Sequence, residues 1–369
     1  MDRHETVSRT VNGACAHVRR AEKPDGRALF VYGRGPHNLS MASENLDGGP
    51  KDAQLRWHPL RQEWSVYAAG RQNRTFKPSL SDDPLAPMRN SVDGSAIVTE
   101  IPFEDFELAI FENRFPSFAS SGETELGSQS VLTVPTGVKT RAATGRCEVV
   151  VYTSAATGSL ATLTDDRRIL LVQAWIDRFA ALYRGGARFV LPFENRGDAV
   201  GVTLAHPHGQ IYAFSIIPRV QRDAASAFAS GYSLADEMGR WDDYMVAEKD
   251  GLAVFAPPFA RFPFELWIAP TARRAHLADH SDQELTAFAW LLGEVTRRYD
   301  TYFGRDTPYM MSVQASPVDA QDHWHFTTQF YPLLRSPDKI KYLATVEQAT
   351  GLFTVDVLPE ETAKIFRAL

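Results

Sequence analysis

The chain has 369 residues, 44% of them hydrophobic and 23% charged, the balance of a folded globular protein with room for two ordinary domains or one large one. Its formal net charge of −6 excludes broad electrostatic capture of nucleic acid, so any anionic ligand must be held by local cations. Cys15 and Cys147 are the only cysteines, too few for a disulfide framework or a four-cysteine zinc site and in keeping with a cytoplasmic protein. With no apolar run of roughly 18 residues or more, no membrane span is expected.

In chain order, residues 1–20 read as a polar leader. The turn signal Pro24, Asp25, Gly26 introduces a short hairpin over Arg27 to Tyr32, and the stretch 33–53, rich in Gly, Asn, Ser and Asp, reads as an exposed connection. Strand-like runs follow at Glu63 to Ala68, Leu108 to Phe111 and Cys147 to Tyr152. A helix is predicted over Asp165 to Tyr183, started by Thr164 and stopped by Gly185 and Gly186. Strands are then predicted at Arg188 to Phe193 and Gln210 to Ile217. The second half repeats this order, with strands at Leu252 to Phe255 and Leu266 to Ala269, a helix over Ser281 to Phe303, and strands at Tyr309 to Gln314 and Trp324 to Tyr331. A last helix runs from Pro359 to Arg367. Strand, strand, helix, strand, strand occurring twice implies two similar α+β halves. We place them at 54–222 and 223–369, after an N-terminal leader, hairpin and connection at 1–53.

Between a turn-rich loop and a strand stand His206, Pro207, His208, Gly209 and Gln210. In an extended segment alternate side chains share a face, so His206, His208 and Gln210 are expected to address one ligand together. An imidazole is largely neutral at pH 7 and keeps a lone pair on one ring nitrogen, so it attacks phosphorus without a separate base. A carboxamide can donate to a phosphate oxygen, and Gly209 leaves room for phosphate to approach the backbone. Two histidines two apart also suit metal ligands or ordinary strand positions.

The run from Phe193 to Phe214, with Asn195, Gly201 and Thr203 ahead of the histidines, resembles the signature of galactose-1-phosphate uridylyltransferases, a branch of the histidine-triad superfamily. Four further segments agree in order: Trp57 to Trp64 with Arg71 to Phe76, Asn113 to Ser117, Phe262 to Glu265 with His276, and Tyr331 to Ser336 with Lys341 and Tyr342. The resemblance implies an α+β fold of two fused histidine-triad half-barrels with mainly antiparallel sheet and flanking helices. It also implies a homodimer with active sites near the subunit boundary, and transfer of a nucleoside monophosphate, UMP in the family, from a nucleotide sugar to a sugar 1-phosphate through a covalent nucleotidyl-histidine. On the matching positions His208 is the nucleophile, Gln210 the phosphate donor and His206 its supporting neighbour. Asn113, Phe115, Asn195, Gly201 and Thr203 line the nucleotide site, while Arg71, Arg74, Lys341 and Glu347 approach the second phosphate and sugar. Read alone, Arg71 and Arg74 also suit solvated cations, Asn113 and Asn195 suit turns, Lys341 suits an exposed lysine and Glu347 a solvated helix face.

Many relatives carry a structural zinc, and the four ligand positions fall here on Asp83, Ala86, Ala156 and His206. A tetrahedral site needs four protein ligands, so no zinc is expected there, and the phosphohistidine chemistry requires no cofactor. A second family metal position meets Gln314, Thr327 and Gln329, leaving His323 and His325 nearby as ordinary histidines or a ligand pair. Phe353 and Val355 stand where relatives place amides around the hexose, which leaves a changed sugar or base specificity, a nucleotide-sugar phosphorylase, and a catalytically idle binding protein as rival readings.

Overall fold

The computed structural model describes residues 3–37, 53–68, 71–72, 78–90, 96–97, 99–103, 105–118 and 134–369. They form β1 (Arg3–Thr6), β2 (His17–Glu22), β3 (Ala28–Gly33), β4 (Gln54–His58), β5 (Glu63–Tyr67), β6 (Arg89–Asn90), β7 (Ala96–Ile97), β8 (Leu108–Glu112), β9 (Thr140–Ala142) and β10 (Gly145–Val151). Next come α1 (Asp165–Arg184), β11 (Phe189–Arg196), β12 (His208–Phe214), α2 (Arg219–Ala229), α3 (Leu234–Met238), β13 (Met245–Lys249), β14 (Leu252–Phe255) and β15 (Leu266–Pro270). The chain closes with α4 (Asp282–Phe303), β16 (Tyr309–Gln314), β17 (Thr327–Pro332), β18 (Leu334–Ser336), β19 (Lys339–Ile340), α5 (Thr345–Thr350) and α6 (Pro359–Arg367).

One 12-stranded sheet dominates, in the order β1-β2-β3-β8-β10-β12-β11-β16-β17-β15-β14-β13. Every neighbouring pair in it runs antiparallel. Two units of identical topology make its centre: β8, β10, α1, β11, β12 and β14, β15, α4, β16, β17. In each, the first strand lies outermost, then the second, the fourth and the third. The third strands meet, Glu194 opposite Met311, so the halves fuse edge to edge and neither leaves an open strand at the join.

Helices α1 and α4 pack on the same side of this sheet and against each other. The core between them and the strands includes Leu170, Trp175, Phe288, Leu292, Ile211, Val313 and Phe330, each at most 2% exposed. Both helices begin as their sequences require: Thr164 Oγ1 accepts from the Arg167 amide at 3.2 Å, and Ser281 forms a reciprocal capping box with Glu284. Gly304, at φ +64°, closes α4 in the left-handed conformation.

The polar leader expected at residues 1–20 is instead part of the sheet, as β1 and most of β2. Its charges hid the strands, because they are matched across the fold: Arg20 binds Glu5 at 2.7 Å and Asp177 of α1 at 2.8 Å, while Val18 turns inward. The expected hairpin is β2 and β3. Most of the predicted connection over 33–53 lies outside the described residues. The amphipathic α2 had no place in the sequence-based element order. Among the described residues, no helix is long and apolar enough to cross a membrane.

Candidate active site

Strand β12 alternates between half-buried and buried positions, so His208, Gln210 and Tyr212 share one face while Gly209, Ile211 and Ala213 face the helices. The predicted strand began at Gln210, but the ladder reaches back to His208, which lies opposite Val151 of β10. His208 is therefore the first residue of a central strand, fixed by the sheet yet open at the strand's end.

His208 Nδ1 donates to the backbone carbonyl of His206 at 2.7 Å. That bond assigns the proton to Nδ1 and leaves the Nε2 lone pair available. Desolvation of the ring pulls its pKa below the ordinary imidazole value, against the opposing pull of the His206 carbonyl, so the ring is neutral at pH 7.

Two clefts meet at His208. One, of about 710 Å³, is lined by Arg71, Asn113, Phe115, Thr203, His208 and Gln210. The other, of about 690 Å³, is lined by Tyr152, Glu194, Asn195, His206 and again His208. In the first, Asn113 Oδ1 accepts from the Phe115 amide at 2.8 Å and closes the turn after β8, while its Nδ2 lies 3.4 Å from Gln210 Oε1. The Gln210 oxygen thus faces Asn113, and its amino group is turned to donate elsewhere. Arg71 Nη1 braces the same wall, donating to the Phe115 carbonyl at 2.8 Å and lying 3.3 Å from the Tyr212 hydroxyl. Glu100 also lines this cleft and accepts from Arg27 at 2.8 Å and from Lys23, which ties the N-terminal strands to it.

Several expectations need correction. His206 does not share the face of His208 and Gln210: its residue borders the second cleft, but its ring is buried, with Nδ1 2.7 Å from Asp83 and Nε2 2.8 Å from the Thr153 carbonyl. Pro207 bends the chain before the ladder starts, which breaks the alternation. Gly209 is needed for a different reason than phosphate access. A Cβ there would stand 2.3 Å from the Tyr152 hydroxyl and 2.9 Å from the Phe193 carbonyl, on the protein side of the strand. Asn195 lines the second cleft instead of joining Asn113, and Gly201, exposed at φ +77°, shapes the turn without lining either cleft. Lys341 and Glu347 are both buried and paired with each other, neither an exposed lysine nor a solvated glutamate, and they line neither cleft. Arg74 lies outside the described residues.

Glu194 escaped the sequence reading. It is fully enclosed between the hydroxyls of Tyr152, at 3.0 Å, and Tyr309, at 2.9 Å, and burial pushes its carboxyl up to about 7. Its only sequence signal is a carboxylate at an inward strand position.

The metal positions do not fit a metal. Of Asp83, Ala86, Ala156 and His206, the two alanines carry no donor, and the other two already bind each other. Among the described residues, no group of three or more His, Cys, Asp or Glu is placed to hold an ion. His325 donates to the Pro270 carbonyl at 2.8 Å, while His323 is exposed, so they do not act as a pair.

A fused pair of antiparallel half-barrels, with a histidine at the mouth of a central strand where two clefts meet, defines a protein of histidine-triad-like fold. The sequence patterns of the galactose-1-phosphate uridyl transferase N-terminal and C-terminal domains match residues 50–218 and 218–369. Galactose-1-phosphate uridylyltransferase of Thermotoga maritima is 33% identical over 325 residues, covering 85% of this chain and 98% of that protein. The Streptomyces lividans enzyme is 28% identical over 365 residues, covering 93% and 95%. A solved uridylyltransferase structure superposes with a TM-score of 0.73 at 24% identity, over 85% of this chain and 97% of that one, which shows the shared fold. The chain belongs to the galactose-1-phosphate uridylyltransferase family.

Proposed function

We propose that this enzyme transfers a uridylyl group from a nucleotide sugar to a sugar 1-phosphate in two displacements at His208. In the first, the Nε2 lone pair attacks the α-phosphorus, the bond from that phosphorus to the bridging oxygen breaks, and the sugar 1-phosphate leaves with the electron pair. In the second, an oxygen of the incoming sugar 1-phosphate attacks the same phosphorus and the P–N bond breaks, restoring neutral imidazole. Ping-pong kinetics follow. The observation that carries this reading is the anchored Nδ1, which frees Nε2 where the two clefts meet.

Gln210 donates to a non-bridging oxygen in both steps, and no cofactor takes part. The first cleft, with Asn113, Phe115 and Thr203, takes the nucleotide; the second, with Asn195, takes the phosphate and sugar end. Lys341 and Glu347 serve a neighbouring subunit's site in a homodimer. Their segment leaves Tyr342, Leu343, Val346 and Leu352 between 51% and 72% exposed, an apolar surface suited to a second copy of the chain. Two unpaired cysteines accord with the cytoplasm.

The test is incubation with UDP-glucose labelled on the α-phosphate. Wild-type protein is expected to retain label that exchanges onto added galactose 1-phosphate, and His208→Ala to retain none. Normal turnover by His208→Ala overturns the mechanism.

A further inference from the structure

The residues around His206 are arranged to do a task that a metal ion performs in many relatives. Asp83 Oδ2 lies 2.7 Å from His206 Nδ1, and Asp83 Oδ1 accepts from the Leu85 amide at 3.0 Å. Across the ring, His206 Nε2 lies 2.8 Å from the Thr153 carbonyl. Both partners are oxygen acceptors, so the imidazole is gripped from both ends. The ring belongs to the loop before β12, Asp83 to the segment after the short helical turn Leu80–Asp82, and Thr153 to the chain leaving β10. Three separate segments are thereby locked at one buried point, with side-chain exposures of 0% for His206 and 8% for Asp83.

The lock reaches the nucleophile by one further link, because the carbonyl of the clamped residue receives the Nδ1 proton of His208. If the His206 ring turns, its backbone carbonyl loses its fixed direction, and with it the tautomer and aim of His208. Pro84 and Leu85, which follow Asp83 directly, line the nucleotide-side cleft, so the same anchor also sets that wall.

We propose that Asp83 is a positioning residue of the transfer reaction: its direct hydrogen bond to His206 replaces the structural metal, and through the His206 carbonyl it holds His208 with Nε2 exposed. The proposal rests on His208 being the nucleophile. It gives the missing metal ligands a physical reason, since a carboxylate that reaches the ring itself leaves no space or need for an ion between them.

Two readouts separate this proposal from the nucleophile reading. Nitrogen NMR of histidine-labelled protein reports the ring tautomer without any turnover, and single-turnover labelling reports the chemistry. In wild type the His208 ring is expected as the Nδ1–H tautomer. Asp83→Ala should convert it to a mixture and slow label transfer by about 10- to 100-fold, as loss of an orienting partner does, with UDP-glucose binding falling less than the transfer rate. Asp83→Asn keeps an acceptor oxygen and should hold the tautomer and lose less than about threefold in rate. An unchanged tautomer in Asp83→Ala overturns the proposal even if wild type takes no label, in which case the nucleophile reading fails separately. Should Asp83→Ala fail to fold, loss of the tautomer in Asp83→Asn overturns it and retention supports it. Elemental analysis finding one tightly held zinc per chain, or activity lost to a chelator and restored by zinc, also overturns it.

Discussion

His208 carries a pH dependence whose sign follows from its surroundings. Desolvation lowers its pKa, so the neutral, reactive ring persists to lower pH than a free imidazole would. The first displacement, followed as kcat/KM for UDP-glucose, is expected to be flat from about pH 7 to 8, with its acid limb centred below about 6.5. A limb centred above that value contradicts the assignment. In the proposed mechanism Gln210, with its oxygen turned toward Asn113, offers its amino group to charge that builds on phosphate during attack. Gln210→Ala should lower the label-transfer rate by about 100-fold while UDP-glucose binding falls far less. An equal loss in both would mean that the amide binds ground state and transition state alike.

Strands β10, β11, β12 and β16 form a unit whose outer face bears the chemistry and whose inner face is held by Glu194 between two tyrosines. Because burial raises the Glu194 carboxyl to about 7, the folded state binds a proton that the unfolded chain releases near pH 4.5. The stability it contributes is fully present below about pH 4.5 and is lost as pH rises through about 7, a swing on the order of 3 kcal/mol. Glu194→Gln should flatten that slope, seen by denaturant titration at pH 5 and pH 8; parallel profiles for variant and wild type would remove the claim. On the same strands, Gly209→Ala forces a Cβ against the Tyr152 hydroxyl and the Phe193 carbonyl. It is expected to cost about 1–3 kcal/mol, measured by the same titration, and wild-type stability would show that the strand can shift to accommodate it.

At the scale of the whole molecule, each half-barrel borrows its missing edge from the other through β11 and β16, and the clefts at His208 lack the Lys341–Glu347 pair. Three hydrogen bonds hold Glu347 in place: from the Ala344 amide, from Lys341, and from the Thr354 amide, which together keep its carboxyl down at about 2. Such a pre-formed charged pair beneath an exposed apolar segment suits a contribution across a subunit boundary. Mixed dimers of His208→Ala and Glu347→Gln, each nearly inactive alone, should then recover about a quarter of wild-type activity, since half the dimers are mixed and each carries one intact site. No recovery on co-expression, with mixed dimers demonstrated, would place the pair outside the site.

The sequence by itself determined the repeated order of strands and helix, because helix caps and hydrophobic period act locally and leave their mark on neighbouring residues. It also singled out His208 as the candidate nucleophile, through the resemblance carried by the run from Phe193 to Phe214, because that run is contiguous in the chain. Tertiary structure alone decided that the His206 ring is clamped between Asp83 and the Thr153 carbonyl, that Asp83 reaches it from 123 residues away, and that Glu194 sits between Tyr152 and Tyr309. It also decided that a charged N-terminal stretch builds strands and that Lys341 and Glu347 are buried together. These features depend on pairings between distant segments, and a charged side chain looks the same in a sequence whether water or a partner on another strand will neutralise it.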